Sequence, residues 1–143
     1  MWYNVNMEIF NEKKSQTIKE IAVCHSLDLV VLFGSQAKDR AMKESDVDIG
    51  VFRKTSEPTL NDQIVLSGKF AELFKNNNID ISVISSNNPV LMYNILKNGK
   101  ILYTTENELA DTLRLYAWKL LAESKSFRDH SFSILKNRIA SFY

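Results

Sequence analysis

The sequence predicts an α/β domain, a small mixed β-sheet with flanking helices and a C-terminal helical tail. Three observations lead there. Short runs rich in Val, Ile and Leu at 28–33, 46–52 and 79–84 have the length and pattern of strands. Amphipathic stretches flank and separate them, the usual sign of helices packed on a sheet. The chain has 143 residues, 45% hydrophobic and 24% charged, values that suit one ordinary globular core. A single domain is expected over 1–143, with its core at about 26–104 and the helical tail at about 105–143.

Residues 7–25 read as a helix with Ile18, Ile21 and Ala22 on one face. DLVVLF at 28–33 is continuously apolar and fits a strand buried on both faces. Gly34–Ser35 ends it, and 36–42 can make a short helix. DVDIGVF at 46–52 alternates and reads as the second strand. Residues 57–75 form an amphipathic helix, and Thr59 with Asp62 makes an N-terminal capping pair. IDISVI at 79–84 is the third strand. Pro89 opens a short helix that Gly99 caps, and 101–103 is a short fourth strand. The remainder is helical. Leu113, Leu120, Phe127 and Ile134 recur every seven residues, with Leu109 and Tyr116 four before the first two. That stripe is expected to pack on the chain's own sheet.

Composition excludes several classes. Eighteen basic residues against 17 acidic give a net charge of +1, too little for wrapping extended nucleic acid by charge. Cys24 is the single cysteine, so no disulfide closes within the chain and no Cys-rich zinc pattern exists. It reads as a buried thiol. No apolar run is long enough for a membrane span. Residues 1–13 lack the basic start and apolar stretch of a signal peptide, and the expected location is cytoplasmic. His25 and His130 have no partner at metal-ligand spacing. Arg53 and Lys54 read as an exposed basic turn.

The chemistry concentrates on two alternating strands. In 46–52, Val47, Ile49 and Val51 share one face while Asp46 and Asp48 share the other, their α-carbons about 7 Å apart. Asp disfavours strands, so two in one strand call for a reason. Asp80 repeats the arrangement between Ile79 and Ile81. If the two strands are neighbours, three carboxylates meet, repel one another and raise each other's pKa values. A divalent cation removes that repulsion, and oxygen-only ligation points to Mg²⁺, or Mn²⁺ in its place. Gly34 and Ser35 sit at the exit of the first strand. There a glycine lets backbone approach a phosphate, a following helix start offers free N–H groups, and Lys38 and Arg40 lie just beyond.

Gly34–Ser35, then Ala37, then Ser45–Asp46–Val47–Asp48, then Ile79–Asp80–Ile81 resemble the nucleotidyltransferase superfamily of DNA polymerase β, most closely its minimal, MNT-type members. The similarity spans about 28–103. Lys38 stands where the family pattern has Arg, keeping the charge without the planar fork, and Asp39 stands where it has Gly. The resemblance implies a polymerase β-like fold and transfer of AMP from ATP, or of another nucleotide from its triphosphate, to a hydroxyl. It implies catalytic and metal-binding roles for Asp46, Asp48 and Asp80, with two Mg²⁺ ions. Nucleotide binding falls to Gly34, Ser35, Lys38 and Ser45. It also implies a helical HEPN ribonuclease toxin as partner, silenced as its tyrosine is modified, which makes this chain the antitoxin. Two alternatives stand beside this. One is a non-catalytic antitoxin that occludes the toxin. The other is a small-molecule nucleotidyltransferase acting on an aminoglycoside-like alcohol, for which the tail is small. Arg128 and His130 are separated by one residue, unlike the Arg and His of a HEPN toxin.

Overall fold

β-Branched and leucine-rich segments form the central strands, and the amphipathic segments cover them on both sides. The computed structural model describes residues 12–34 and 46–141, apart from the side chains of 126–128 and 131. The short helix expected at 36–42 and the first residues of the helix expected at 7–25 lie outside that range. In chain order come α1 (Glu12–Cys24), β1 (Leu29–Phe33), β2 (Val47–Phe52), α2 (Leu60–Phe74), β3 (Ile79–Val83), α3 (Pro89–Asn98), β4 (Lys100–Thr104) and α4 (Leu109–Ala140). The four strands form one sheet in the order β3-β2-β1-β4. β1 is antiparallel to β2 and to β4, while β2 and β3 run parallel through the α2 crossover. The sheet is therefore mixed, as its sequence pattern predicts.

β1 is central and buried on both faces, which explains its unbroken apolar sequence. Val30 and Leu32 join Ile18, Ile21, Ala22, Leu66 and Phe70 in one core between the sheet and helices α1 and α2. Leu29 and Val31 join Met92, Ile95, Leu96, Leu109 and Ala117 in a second core beneath α3 and α4. β2 alternates between the two: Val47, Ile49 and Val51 enter the first core. Gly50 lies on the other face, where an added Cβ would stand 2.8 Å from Ile95 Cγ2. A side chain there would push α3 off the sheet.

Local signals set the helix ends. Thr59 caps α2, accepting from the Asp62 N–H, while the Asp62 carboxylate accepts from the Thr59 N–H at 2.8 Å. Asn88 caps α3 and Pro89 begins it. Gly99 follows α3 as expected, but in extended rather than left-handed conformation, φ −79°. Space, not dihedral freedom, demands the glycine: a Cβ would meet Ile95 O and Val31 Cγ1, both at 2.3 Å.

Two expectations about the helices fail. α4 docks mainly on α3 rather than on the sheet, because α3 already covers that part of the sheet face. It does so through Leu109, Leu113 and Ala117; Tyr116 and Ile134 of the heptad stripe are exposed. Cys24 is exposed rather than buried, since it ends α1 off the face formed by Ile18, Ile21 and Ala22. No described helix is long and apolar enough to cross a membrane.

Candidate functional site

The parallel pairing of β2 with β3 places Asp48 directly beside Asp80. Val47, Ile49 and Val51 of β2 and Ile79, Ile81 and Val83 of β3 all pack toward the first core. Strand alternation therefore turns Asp48 and Asp80 to the opposite face together. Asp46, one residue ahead of β2, belongs to the same alternating set and is exposed. Asp80 is exposed and Asp48 half-buried, so the carboxylates stand where the face carrying α3 opens to solvent.

The antiparallel neighbour adds the third side. Phe33 at the end of β1 pairs with Asp48, and the next residue, Gly34, has a left-handed φ of +74°. A Cβ built on Gly34 would lie 2.1 Å from Asp48 Oδ2 and 3.0 Å from its Cγ. The Asp48 carboxylate thus rests against the glycine backbone. Gly34 has two duties at once: a turn conformation that L side chains rarely adopt, and room for a carboxylate oxygen.

The electrostatics are those of a cluster. Asp48 is held above the ordinary carboxylate range, first by burial and then by the negative charges of Asp80 and Asp46. Burial and like charge both disfavour the ionised form. A hard divalent cation with oxygen ligands would reverse both effects, so the donor set fits such an ion. Among the described residues, no group of three or more acidic, His or Cys side chains is gathered closely enough to hold one as it stands.

Of the residues singled out in the sequence, Asp48, Asp80 and Gly34 meet here, and Asp46 lies near enough to act on Asp48 through its charge. Ser35, Lys38 and Ser45 lie outside the described residues. Arg53 is not the exposed basic residue expected. Its side chain is only 14% exposed, and its guanidinium donates to His25 O (3.1 Å), Ser56 O (2.9 Å), Glu57 O (3.4 Å) and Asp62 Oδ2 (3.1 Å). It ties the loop after β2 to the turn after α1 and to α2. Lys54 is exposed, pairs with Glu106, and its backbone N–H donates to Asp28 Oδ2 at 2.7 Å. His25 Nε2 is buried and has no hydrogen-bond partner among the described residues. Its pKa is lowered, first by burial and then by Lys69 and Arg53 against the opposing pull of Asp62. His130 is exposed on α4.

The sequence model of the family described as "Polymerase beta, Nucleotidyltransferase" matches residues 16–108. Solved structures share the fold. A chain of an assembly described as a toxin–antitoxin with AMP-PNP is 20% identical with a TM-score of 0.70, covering 85% of this chain and 97% of that one. A chain of a complex of a tri-AMPylated Shewanella oneidensis HEPN toxin with MNT antitoxin is 19% identical with a TM-score of 0.63, covering 85% and 94%. One from the toxin–antitoxin pair MntA-HepT is 18% identical with a TM-score of 0.65, covering 87% and 98%. No curated protein gives a significant match.

Proposed function

Because the chain belongs to the polymerase β nucleotidyltransferase family, we propose that it transfers AMP from ATP to a hydroxyl on a partner protein, a tyrosine of a HEPN-type toxin, and so acts as antitoxin. The observation that carries the chemistry is Asp48 paired with Asp80 on parallel strands and seated against Gly34. The assemblies that share the fold support the partner: one contains AMP-PNP and another a tri-AMPylated HEPN toxin.

Asp46, Asp48 and Asp80 would hold Mg²⁺ or Mn²⁺, two ions in this reading. Such ions neutralise charge on the triphosphate and ease deprotonation of the acceptor hydroxyl. Asp48, the most buried of the three, fixes the centre of the site, and Asp80 faces the side from which an acceptor enters. Gly34 brings backbone toward the phosphates, and Ser35, Lys38 and Ser45 remain the candidates for holding them. The acceptor oxygen bonds to the α-phosphorus, the bond from that phosphorus to the bridging oxygen breaks, pyrophosphate leaves and the hydroxyl proton passes to solvent. The protein's contribution is placement and electrostatic stabilisation.

One observation favours the occluding alternative: the apolar residues exposed along α4, among them Trp118, Phe132, Ile134 and Leu135, suit a bound helical partner. Stoichiometry separates the two readings. A catalyst protects cells from the toxin at sub-stoichiometric levels, and the toxin gains mass in whole units of AMP. The doubly substituted Asp46→Ala/Asp48→Ala protein, folded, gives neither. Protection by that variant at every ratio, with no change in toxin mass, would leave a binding antitoxin. Transfer that continues undiminished in EDTA would exclude the role given to the carboxylates.

A further inference from the structure

Among the described residues β3 is an edge strand, and its outer side runs past Asp80. Hydrogen-bond parity determines which backbone groups it offers. Asn78 O accepts from Val47 N, and Ile84 N donates to Val51 O, each at 2.8 Å. In a regular parallel ladder between those two bonds, residues 78, 80, 82 and 84 turn their N–H and C=O groups to β2, and 79, 81 and 83 turn theirs outward. Ile79 O accepts the Ser67 hydroxyl at 3.3 Å, so α2 closes the edge at its beginning. The outward groups of Ile81 and Val83 have no strand beside them among the described residues. Edge strands are commonly blunted by Pro, Lys or a bulge. Ile79–Val83 has no Pro or Lys, and its pairing with β2 is unbroken.

Next to this edge is an open depression of about 240 Å³ lined by Gln63, Ile64, Ser67, Ile79, Asp80 and Ile81. Ile64 on its wall is 63% exposed, and Leu60, one turn earlier on α2, is 72% exposed. An apolar step beside unpaired main-chain groups is matched by an extended polypeptide, which satisfies the edge with its backbone and the step with alternate side chains.

We propose, on the basis of the transferase reading above, that the β3 edge docks the acceptor as an added strand. The acceptor is then an extended polypeptide segment in which apolar residues two apart flank the hydroxyl-bearing residue. The pleat sets this pattern. In an added strand, the residue opposite Asp80 shares the face of Asp80 and Asp48, where transfer occurs. Its two neighbours turn to the opposite face, toward Ile81, Ile64 and Leu60. A folded surface or a free small alcohol would leave the edge unused.

Two substitutions test this independently. Ile81→Pro removes the outward N–H and leaves the bonds to β2, the placement proline tolerates in an edge strand. Ile64→Lys alters only the exposed step. Each variant is compared with the wild type by ATP titration, by analytical ultracentrifugation and by transfer from labelled ATP over a range of partner concentrations. The expected result is unchanged ATP affinity with KM for the partner raised by at least about 10-fold in both variants. Where Ile81→Pro does not fold, Ile64→Lys and Val83→Pro decide. Wild-type transfer with unchanged KM in the folded variants overturns the docking while the transferase reading stands. Absence of wild-type transfer to the partner overturns both. A wild-type dimer that the proline variant dissociates assigns the edge to a second copy and overturns the proposal.

Discussion

Replacing Gly34 with alanine adds one methyl group at the point where the β1 exit meets the carboxylate cluster. That methyl would begin 2.1 Å from Asp48 Oδ2 and 3.3 Å from Asp48 Cβ. Relieving the contact requires a relative shift of about 1 Å, and misplacements of that size cost on the order of 10²-fold in rate. The left-handed backbone at φ +74° adds about 1–2 kcal/mol of strain for an alanine, offset by up to about 1 kcal/mol because the unfolded chain has less freedom to lose. Stability should therefore fall little, by a few degrees in Tm at most, while transfer falls by about 10²-fold or more. Gly68→Ala is the matched control: it lies within α2 and nothing stands within 4 Å of its Cβ position, so helix propensity predicts a gain of about 0.5–1 kcal/mol with activity unchanged. The assay pairs melting curves with initial rates of transfer from labelled ATP. Gly34→Ala transferring within about threefold of wild type would refute the claim that this glycine seats Asp48.

Asp48→Asn should separate stability from activity in the opposite direction. Burial and two neighbouring carboxylates raise the Asp48 pKa, so its ionised form disfavours the folded state at neutral pH. In chelator the variant should melt higher than wild type, the advantage fading as pH falls through the raised Asp48 value toward the ordinary carboxylate range, while transfer is lost; a lower melting temperature would contradict the assigned environment. Asp62 gives the reverse sign. Its pKa is lowered, first by the Thr59 backbone hydrogen bond and then by the Thr59 hydroxyl and Arg53, so its contribution is present above the ordinary carboxylate value and lost as pH falls through the lowered one. Asp62→Asn should destabilise at neutral pH and converge with wild type in acid, as read from melting curves across pH; a constant difference at every pH would place the effect outside the ionised hydrogen bonds.

The strands were legible because their chemistry is periodic. The segments read at 28–33, 46–52 and 79–84 fold as Leu29–Phe33, Val47–Phe52 and Ile79–Val83, and the same alternation separates Asp48 and Asp80 from the core. Adjacency was only conditional in the sequence. Nothing in a period of two says that β2 and β3 are neighbours, or that residue 48 stands opposite residue 80 rather than 82; the α2 crossover and the matching apolar faces decide that. Gly34 was identified for its closeness to phosphate, whereas its contact with Asp48 depends on the pairing of Phe33 with Asp48 across a hairpin. Arg53 misled because charge alone places a residue outside. Its four acceptors come from the turn after α1, from α2 and from the loop between β2 and α2, partners that only the tertiary fold assembles. The heptad stripe on α4 misled for a related reason. A period identifies a face but not the length of surface available to cover it.

α4 contains 32 residues, about 48 Å of helix, yet among the described side chains Ala117 is the last that is fully buried. The amide protons along this helix therefore belong to two regimes. Those near Leu109, Leu113 and Ala117 are locked behind the second core and exchange with deuterium as slowly as the sheet beneath. Beyond it, among the described side chains, only Leu120, Leu121 and Ser124 are even half-buried, so those amides are guarded mainly by the helix itself, which has little of the tertiary packing that stabilises helices in water. Their exchange should proceed by fraying from the C-terminal end, in times far shorter than those of global opening. Whatever settles on Trp118, Phe132 and Ile134 would then register first as a slowing of exchange over 118–140, before any change reaches the carboxylates.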